Sequence, residues 1–372
     1  MSLLFTPYKL GRLQLRNRLV ISPMCMYSAV NGLIQPWHFA HLGTLAVSGA
    51  DLVFVEATAV EPIGRITPGC VGLYNDSQER ELTNLVKQIR TFSKSALGIQ
   101  LSHAGRKASC PPGWENQTQI SVQDGGWPVV GPSSVAFGPG WVVPEALDVT
   151  GMARITQAFV ESAQRADRCG FDVLEIHSAH GYLLSSFLSA ISNCRTDQYG
   201  GNRQSRMAFP LSVMKAVRAV WPIHKAIGCR FNATELDERG VTVEDGIAFA
   251  SELKAIGFDY VTMSAGNAVP GRTYPPLVPG YQVDFSDRVR NGAHIPTMAV
   301  GMILTAQQAE AILQEGKADL IAIARGAIDN PRWGWHAANE LGASEVYPNP
   351  FKRGQPEKWP GYKLVHPSNT GN

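Results

Sequence analysis

The sequence predicts a single (β/α)8 barrel, and three observations support this fold class. Eight short apolar runs recur along the chain, and most are followed by a segment with helical periodicity. Each run ends in polar residues or glycine, an alternation typical of a parallel barrel. Two pairs of runs resemble one another: G-F-D-V-L-E-I-H-S-A with G-F-D-Y-V-T-M-S-A, and A-D-L-V-F-V-E-A-T with A-D-L-I-A-I-A-R-G.

The length of 372 residues is compatible with two domains, but a barrel with insertions also reaches it. We therefore expect one domain over residues 1–372, with the barrel core over about 19–341 and a C-terminal tail over 342–372. Two extended runs within Phe5–Leu15 predict a hairpin at one end of the barrel.

The predicted strands are nearly continuous apolar runs, as expected where both faces of a parallel sheet are covered. In chain order they are Leu19–Pro23, Asp51–Val60, Ala96–His103, Phe171–Ile176, Ala226–Ala233, Phe258–Gly266, Ile295–Met302 and Ala318–Gly326.

The predicted helices carry end signals. Gly49, Gly170 and Gly257 each follow a helical segment, and Thr242 is a candidate N-cap two residues before Glu244. The helices are expected over His38–Ser48, Ser77–Ser95, Gly151–Cys169, Gln204–Val220, Thr242–Ile256, Thr305–Leu313 and Pro331–Leu341.

Two long segments show no periodicity. Residues 104–150 are rich in Pro, Gly and Trp, which predicts a lid or binding loop. Gly138 and Gly140 do not form a dinucleotide fingerprint, because no strand leads into them and no helix opens after them. A second loop, S-N-C-R-T-D-Q-Y-G-G, follows Tyr182.

Composition excludes several classes of function. The net charge is +2, from 33 basic and 31 acidic residues without long runs of one sign, so nucleic acid and membrane surfaces are poor partners. No apolar stretch is long enough to span a bilayer, and the N-terminus lacks a signal-peptide pattern, so a cytoplasmic protein is expected. The six cysteines are widely spaced without C-x-x-C, against zinc knuckles, iron–sulfur clusters and disulfide scaffolds.

The stretch F-D-V-L-E-I-H-S-A-H-G-Y carries the strongest catalytic signal. On a continuing strand His177 and His180 would face opposite sides, so they converge only if the strand ends near His177 and the chain turns. A metal site, a pair of structural histidines, and two neutral donors that hold a carbonyl are all compatible with this segment. The third alternative also gives Tyr182 a role, as proton source.

The ends of the last two strands predict a phosphate site. The loops after strands seven and eight of a barrel often bind phosphate, and here they contain V-G-M and A-R-G. The alternatives are a simple turn at Gly301 and an ion pair of Arg325 with Asp319 or Asp329.

Seven motifs in order resemble the old yellow enzyme family of FMN-dependent ene-reductases, in its thermophilic-like and xenobiotic-reductase branch. They are N-R-L-V-I-S-P-M-C-M-Y, V-E-A-T-A-V, G-R-I-T, G-I-Q-L-S-H-A-G-R-K-A, E-I-H-S-A-H-G-Y-L, S-N-C-R-T-D-Q-Y-G-G and A-V-G-M, within a match from Phe5 to about Leu341. The resemblance implies bound FMN, NADPH (or NADH) as reductant, and a homodimer or higher homo-oligomer. It implies reduction of the activated C=C bond of α,β-unsaturated carbonyl compounds. Reduction of nitro compounds or nitrate esters, or a low-turnover flavin-binding sensor, are the alternatives.

The resemblance also implies site residues. Tyr27, His177, His180 and Tyr182 would face the substrate. The residues that would hold FMN are Ser22, Pro23, Met24, Cys25, Ala57, Gln100, Arg230, Gly301, Met302, Ala324 and Arg325.

These assignments fit flavin chemistry. A fixed Arg230 would stabilise the anionic reduced flavin, and Gln100 can pair with the amide edge of the ring. His177 and His180 would polarise the substrate oxygen while Tyr182 protonates the α-carbon. We expect Cys25 to tune the flavin potential and not to act as a nucleophile, because no base is adjacent in sequence.

The chain departs from the family pattern in two places. After Y-G-G it reads N-R-Q-S-R-M-A-F, where Ser205 and Ala208 replace the usual asparagine and second arginine; this puts the helix N-terminus there in doubt. The tail is longer than the family pattern predicts. Arg353 or Trp359 would enter the site of a neighbouring subunit, or the tail would be disordered.

Overall fold

The computed structural model describes residues 2–115, 119–270, 278–344 and 347–365. Eight parallel strands close into a barrel in the order β3-β4-β5-β8-β9-β10-β11-β12, so the predicted (β/α)8 fold is confirmed. All strands, numbered along the chain, are β1 Tyr8–Leu10, β2 Leu13–Leu15, β3 Leu19–Ile21, β4 Leu52–Ala59, β5 Ala96–Ser102, β6 Val130–Gly131, β7 Glu145–Ala146, β8 Val173–Ser178, β9 Ala226–Thr234, β10 Tyr260–Ala265, β11 Thr297–Val300 and β12 Leu320–Ile323.

Helices lie between most of the barrel strands and pack outside them. They are α1 Pro36–Leu45, α2 Asp76–Arg90, α3 Val149–Cys169, α4 Leu183–Leu188, α5 Arg203–Val220, α6 Val243–Ile256, α7 Val283–Ala293, α8 Ala306–Gln314, α9 Arg325–Asp329, α10 Trp333–Glu340 and α11 Tyr362–Val365. The predicted end signals of α6 operate as expected. Thr242 caps the helix reciprocally with Asp245, and Gly257 ends it with φ 95°.

Four of these helices were not predicted, namely α4, α7, α9 and α11. Helix α7 lacks the usual end signals, because Gln282 makes no side-chain cap hydrogen bond and His294, not glycine, takes the left-handed position after it. All six residues of α4 are buried, so the segment has no amphipathic pattern.

Helix α5, which follows the second loop, begins in the segment where the sequence departs from the family pattern. Asn202 caps α5 by accepting the backbone N–H of Ser205 at 3.0 Å. The departures at Ser205 and Ala208 therefore leave a capped N-terminus.

The interior of the barrel is apolar at its N-terminal end. The β1–β2 hairpin inserts Leu10 and Leu15, both fully buried, against inward-facing residues of the strands. The predicted hairpin thus plugs this end. A Cβ on Gly228 would lie 2.2 Å from the ring of Tyr260, so glycine is required there for the tyrosine to fill the barrel centre.

The C-terminal ends of the strands carry the irregular segments. Strand β8 ends at Ser178, and the chain turns through His180 at φ 60°, as the histidine prediction required. The long loop after β5 includes the β6–β7 pair and is held from within by Arg106, whose guanidinium donates to the carbonyls of Val135 and Ala136.

No helix in the described ranges is long and apolar enough to cross a bilayer. Within the same ranges, no group of three or more His, Cys, Asp or Glu side chains is arranged to hold a metal ion.

Candidate active site

Residues predicted from five different strands meet at the C-terminal end of the barrel. Arg230 on β9 is the register partner of His177 on β8, and its Nη1 donates to Ser22 Oγ, just after β3, at 3.2 Å. Cys25, Tyr27 and Tyr182 pack against one apolar cluster under the long loop. Ala57 on β4 and Gln100 on β5 are buried register partners.

The two histidines form a hydrogen-bonded chain of fixed direction. His177 Nδ1 accepts the backbone N–H of Ala179 at 3.1 Å, so its neutral ring carries the proton on Nε2. That proton faces His180 Nδ1 at 3.1 Å, which places the proton of His180 on Nε2, 2.6 Å from Ser264 Oγ. The rings therefore donate in series.

Both histidines are held neutral. Burial, with a smaller contribution from Arg230, lowers the pKa of His177 to about 3. The same causes, in the same order, lower the pKa of His180 well below its ordinary value. Neutral rings with Nε2–H donors fit the carbonyl-holding alternative, since a metal ligand would need further partners that the described part of the chain does not supply.

Tyr182 lies beside this chain. Its ring centroid is 4.9 Å from that of His177, and burial raises the pKa of its phenol well above the ordinary value. Tyr182 therefore keeps its proton at neutral pH.

Tyr27 has φ 48° and contacts the exposed Trp114 of the long loop, with ring centroids 5.8 Å apart.

A buried polar network lies below the histidines. Glu175 accepts from Gln100 Nε2 at 2.7 Å and from Thr262 Oγ1 at 2.6 Å. Burial raises the pKa of the Glu175 carboxyl, and Arg230 opposes that shift most strongly. Arg230 Nε is enclosed and has no hydrogen-bond partner, so the guanidinium retains unused donor capacity.

Cys25 is a protonated thiol in a buried setting. Burial raises its pKa well above the ordinary value, and Glu56 is the largest electrostatic contribution in the same direction. Glu56 also accepts the backbone N–H of Met26 at 3.2 Å, which fixes the chain next to Cys25. A thiol of raised pKa is a weak nucleophile, and the tuning role expected from the sequence stays a prediction.

The predicted phosphate-binding segments are adjacent. Strands β11 and β12 pair in parallel, and Gly301–Met302 and Ala324–Arg325 follow their ends. Gly301 has φ 113°, and a Cβ on it would lie 2.4 Å from Gln282 Nε2. Arg325 is exposed, and Asp319 pairs with Arg290 at 2.9 Å, so the alternative ion pair of Arg325 with Asp319 is wrong.

Sequence reasoning missed Lys107, although it lies in a quoted motif. Its Nζ donates to the carbonyls of His180 at 2.8 Å and Asn267 at 3.0 Å, and lies 5.4 Å from the ring centroid of Tyr182. Burial lowers the pKa of its ammonium to about 7, with a smaller contribution from Arg106. The loop position of Lys107 gave no periodicity that would have revealed these contacts.

Part of the tail folds on the chain's own helix α10. The rings of Phe351 and Tyr347 pack against Trp335, the first edge-on and the second tilted, with ring centroids 5.6 and 4.4 Å away. Arg353 is exposed and Trp359 is 42% exposed. Their entry into a neighbouring subunit stays a prediction, and the last seven residues of the tail lie outside the described residues.

Comparison with known proteins agrees with this geometry. The family described as NADH:flavin oxidoreductase / NADH oxidase matches residues 3–343. An NADPH dehydrogenase of Geobacillus thermodenitrificans is 39% identical over 355 residues, which are 95% of this chain and 98% of that protein. An NADPH dehydrogenase of Listeria innocua is 41% identical over 355 residues, 95% of this chain and 99% of that protein.

A solved structure of morphinone reductase aligns with a TM-score of 0.76 and 28% identity, over 94% of this chain and 92% of that one. The same enzyme in complex with tetrahydroNAD aligns with a TM-score of 0.75 and 28% identity, over 93% of each chain. Since the family match extends over most of the sequence, this chain belongs to the NADH:flavin oxidoreductase / NADH oxidase family, and the FMN oxidoreductase of the old yellow enzyme type predicted from its motifs is confirmed.

Proposed function

We propose that this enzyme uses NADPH to reduce the activated C=C bond of α,β-unsaturated carbonyl compounds. The observation that carries the proposal is the neutral His177–His180 chain with the protonated Tyr182 beside it, at the catalytic end of an FMN oxidoreductase barrel. The dehydrogenase relatives favour NADPH as the reductant.

The residues at the barrel end fit FMN. Arg230 has an enclosed Nε without a partner, which suits an anionic ring edge. Gly301 allows the backbone to approach a phosphate closely, and the exposed Arg325 supplies charge next to it. Ser22, Pro23, Met24, Cys25, Ala57, Gln100, Met302 and Ala324 complete the proposed FMN site. When bound, FMN supplies hydride transfer between NADPH and the alkene.

The histidines would hold the substrate oxygen. Each has an Nε2–H donor, and a neutral donor stabilises the charge that develops on an enolate oxygen. The Nε2 proton of His177 faces His180, so two-point binding of a substrate oxygen requires the His180 ring to turn away from His177. Tyr27 would line the same space from the side of the long loop.

Tyr182 would give its proton to the α-carbon. Its raised pKa keeps the phenol protonated across neutral pH. A pure flavin-binding sensor has no need of such a donor, so an enzyme is the better proposal.

The test is an anaerobic titration of the purified protein with NADPH and then with cyclohexenone. The released flavin should be FMN, NADPH should bleach it, and the enone should restore it. Tyr182→Phe should slow reoxidation by about a hundredfold, the lower end for a general acid, while reduction by NADPH is retained. Reoxidation by nitro compounds or nitrate esters but not by enones would contradict the proposed substrate class.

A further inference from the structure

We propose that Glu175 is a positioning residue that fixes the orientation of the Gln100 amide, so that Gln100 presents an acceptor oxygen to the flavin ring. The inference rests on the proposed FMN site, in which Gln100 contacts the ring. It assigns a function to a buried carboxylate that hydride transfer does not use.

The Gln100–Glu175 contact determines the positions of the NH2 group and the oxygen of the Gln100 amide. Gln100 and Glu175 are register partners on adjacent strands, 2% and 1% exposed, and Gln100 Nε2 lies 2.7 Å from Glu175 Oε1. An ionised carboxylate only accepts hydrogen bonds, so the amide must direct its NH2 group at Glu175. The reverse orientation would place two oxygens in contact.

The other end of the amide is free for a ligand. Within the described residues Gln100 Oε1 makes no hydrogen bond, yet it is not among the enclosed polar atoms that lack a partner. It therefore borders open space at the end of the barrel that holds Ser22 and Arg230.

Two further neighbours lie around the Glu175 carboxylate. Thr262 Oγ1 donates to its second oxygen at 2.6 Å, while the first oxygen accepts from Gln100. Arg230 faces it electrostatically and favours the ionised form against burial. Arg230 and Thr262 are register partners on strands β9 and β10, which fixes their positions within the barrel wall.

The consequence is a chemical preference. The oxidised isoalloxazine ring has a single N–H group, at N3, and otherwise offers acceptors to a side chain at its edge. An outward oxygen on Gln100 can pair with N3–H and repels the ring carbonyls and N1. Glu175 would therefore determine which atoms of the ring edge Gln100 can hydrogen-bond, without itself contacting the flavin.

The experiment compares FMN with its N3-methyl analogue, which lacks this donor. Apoenzyme prepared from the holoenzyme is titrated with each flavin at pH 8, by quenching of flavin fluorescence. The wild type should prefer FMN by about tenfold or more, the value of one satisfied hydrogen bond against an unsatisfied one. In Glu175→Gln an amide partner tolerates either orientation of Gln100, so the preference should fall by at least about threefold.

Four further variants complete the design. Gln100→Leu should lower the preference at least as far, and adding Glu175→Gln to it should have no further effect. Thr262→Val, the matched control, removes the other bond to Glu175 and should keep the preference. Glu175→Asp withdraws the carboxylate from Gln100 and serves if the glutamine variant does not fold.

The outcomes separate the inference from the site on which it rests. An unchanged preference in Glu175→Gln, with a lowered one in Gln100→Leu, would overturn the role of Glu175 but leave Gln100 at the ring. An unchanged preference in Gln100→Leu would overturn both. An equal loss in Thr262→Val would show a general packing effect and would also refute the inference.

Discussion

The two ends of the barrel differ in the side chains that they bury. At the N-terminal end Leu10 and Leu15 of the hairpin are fully buried among apolar residues. At the C-terminal end the buried groups include Glu175 and His177, and the partly buried Arg230 lies beside them. Burial of polar groups costs free energy unless they are hydrogen-bonded, whereas apolar burial stabilises. The difference indicates that one end holds the barrel closed and the other carries its chemistry.

The largest expected effect is a loss of stability caused by a substitution at the N-terminal end of the barrel. Leu10→Ala should reduce the free energy of unfolding by about 2–5 kcal/mol, because it leaves a cavity under the hairpin. Urea denaturation measures the loss. The half-reaction rates of the folded fraction should match the wild type, and a large rate defect would contradict the separation of the two ends.

The next effect acts at the catalytic end alone. His177→Ala and His180→Ala should each raise the barrier of enone reduction by about 2.7–4 kcal/mol, as for other oxyanion donors. Phenolic ligands, which mimic the enolate, should bind more weakly. Stopped-flow absorbance resolves both half-reactions. If these variants reoxidise with enone as fast as the wild type, the pair is structural.

Lys107 should produce a smaller, pH-dependent effect. Its folded pKa of about 7 lies below the ordinary value of 10.5, so the unfolded chain binds more protons between these values. Stability contributed by Lys107 therefore rises with pH in this window, by less than about 1.4 kcal/mol per pH unit. In Lys107→Met the free energy of unfolding, measured from pH 7 to 9, should rise less with pH than in the wild type.

The matched control for Lys107 is the exposed Lys94, since Lys94→Met removes an equal charge. In Lys94→Met the free energy of unfolding should rise with pH as steeply as in the wild type. The titratable groups that also face Lys107, Arg106 and Cys110, are retained in both variants. If the free energy of unfolding of Lys107→Met rises with pH as steeply as that of the wild type, another group causes the pH dependence.

The smallest expected effect is at Cys25. Cys25→Ser should shift the flavin midpoint potential without abolishing turnover, because the partly buried thiol stays protonated next to Glu56. Dye-coupled reductive titration measures the potential. Complete loss of activity with flavin still bound would reveal a covalent role.

The barrel was predictable because its signals are local. Apolar runs and the glycines after helices identify strands and helix ends without knowledge of their partners. Helix α7 was missed because its ends lack those signals.

The site was predictable only where motifs carried it. Glu175 lies inside a quoted motif, but its partners Gln100 and Thr262 are 75 and 87 residues away, so its role depends on strand register. The serial direction of the histidine chain likewise depends on Ser264, 84 residues from His180. A sequence pattern contains residue types but not tautomers.

The direction of the histidine chain also restricts proton traffic. A proton wire requires each member to accept a proton at one atom as it releases one at another. The Nδ1 lone pair of His177 is occupied by a backbone N–H that does not ionise, so His177 cannot be reprotonated from that side. The pair can therefore polarise a bound oxygen but cannot conduct protons to it from the interior. In the proposed mechanism, the proton that Tyr182 gives up in each turnover must therefore return from solvent, or from a donor on the open side of the site.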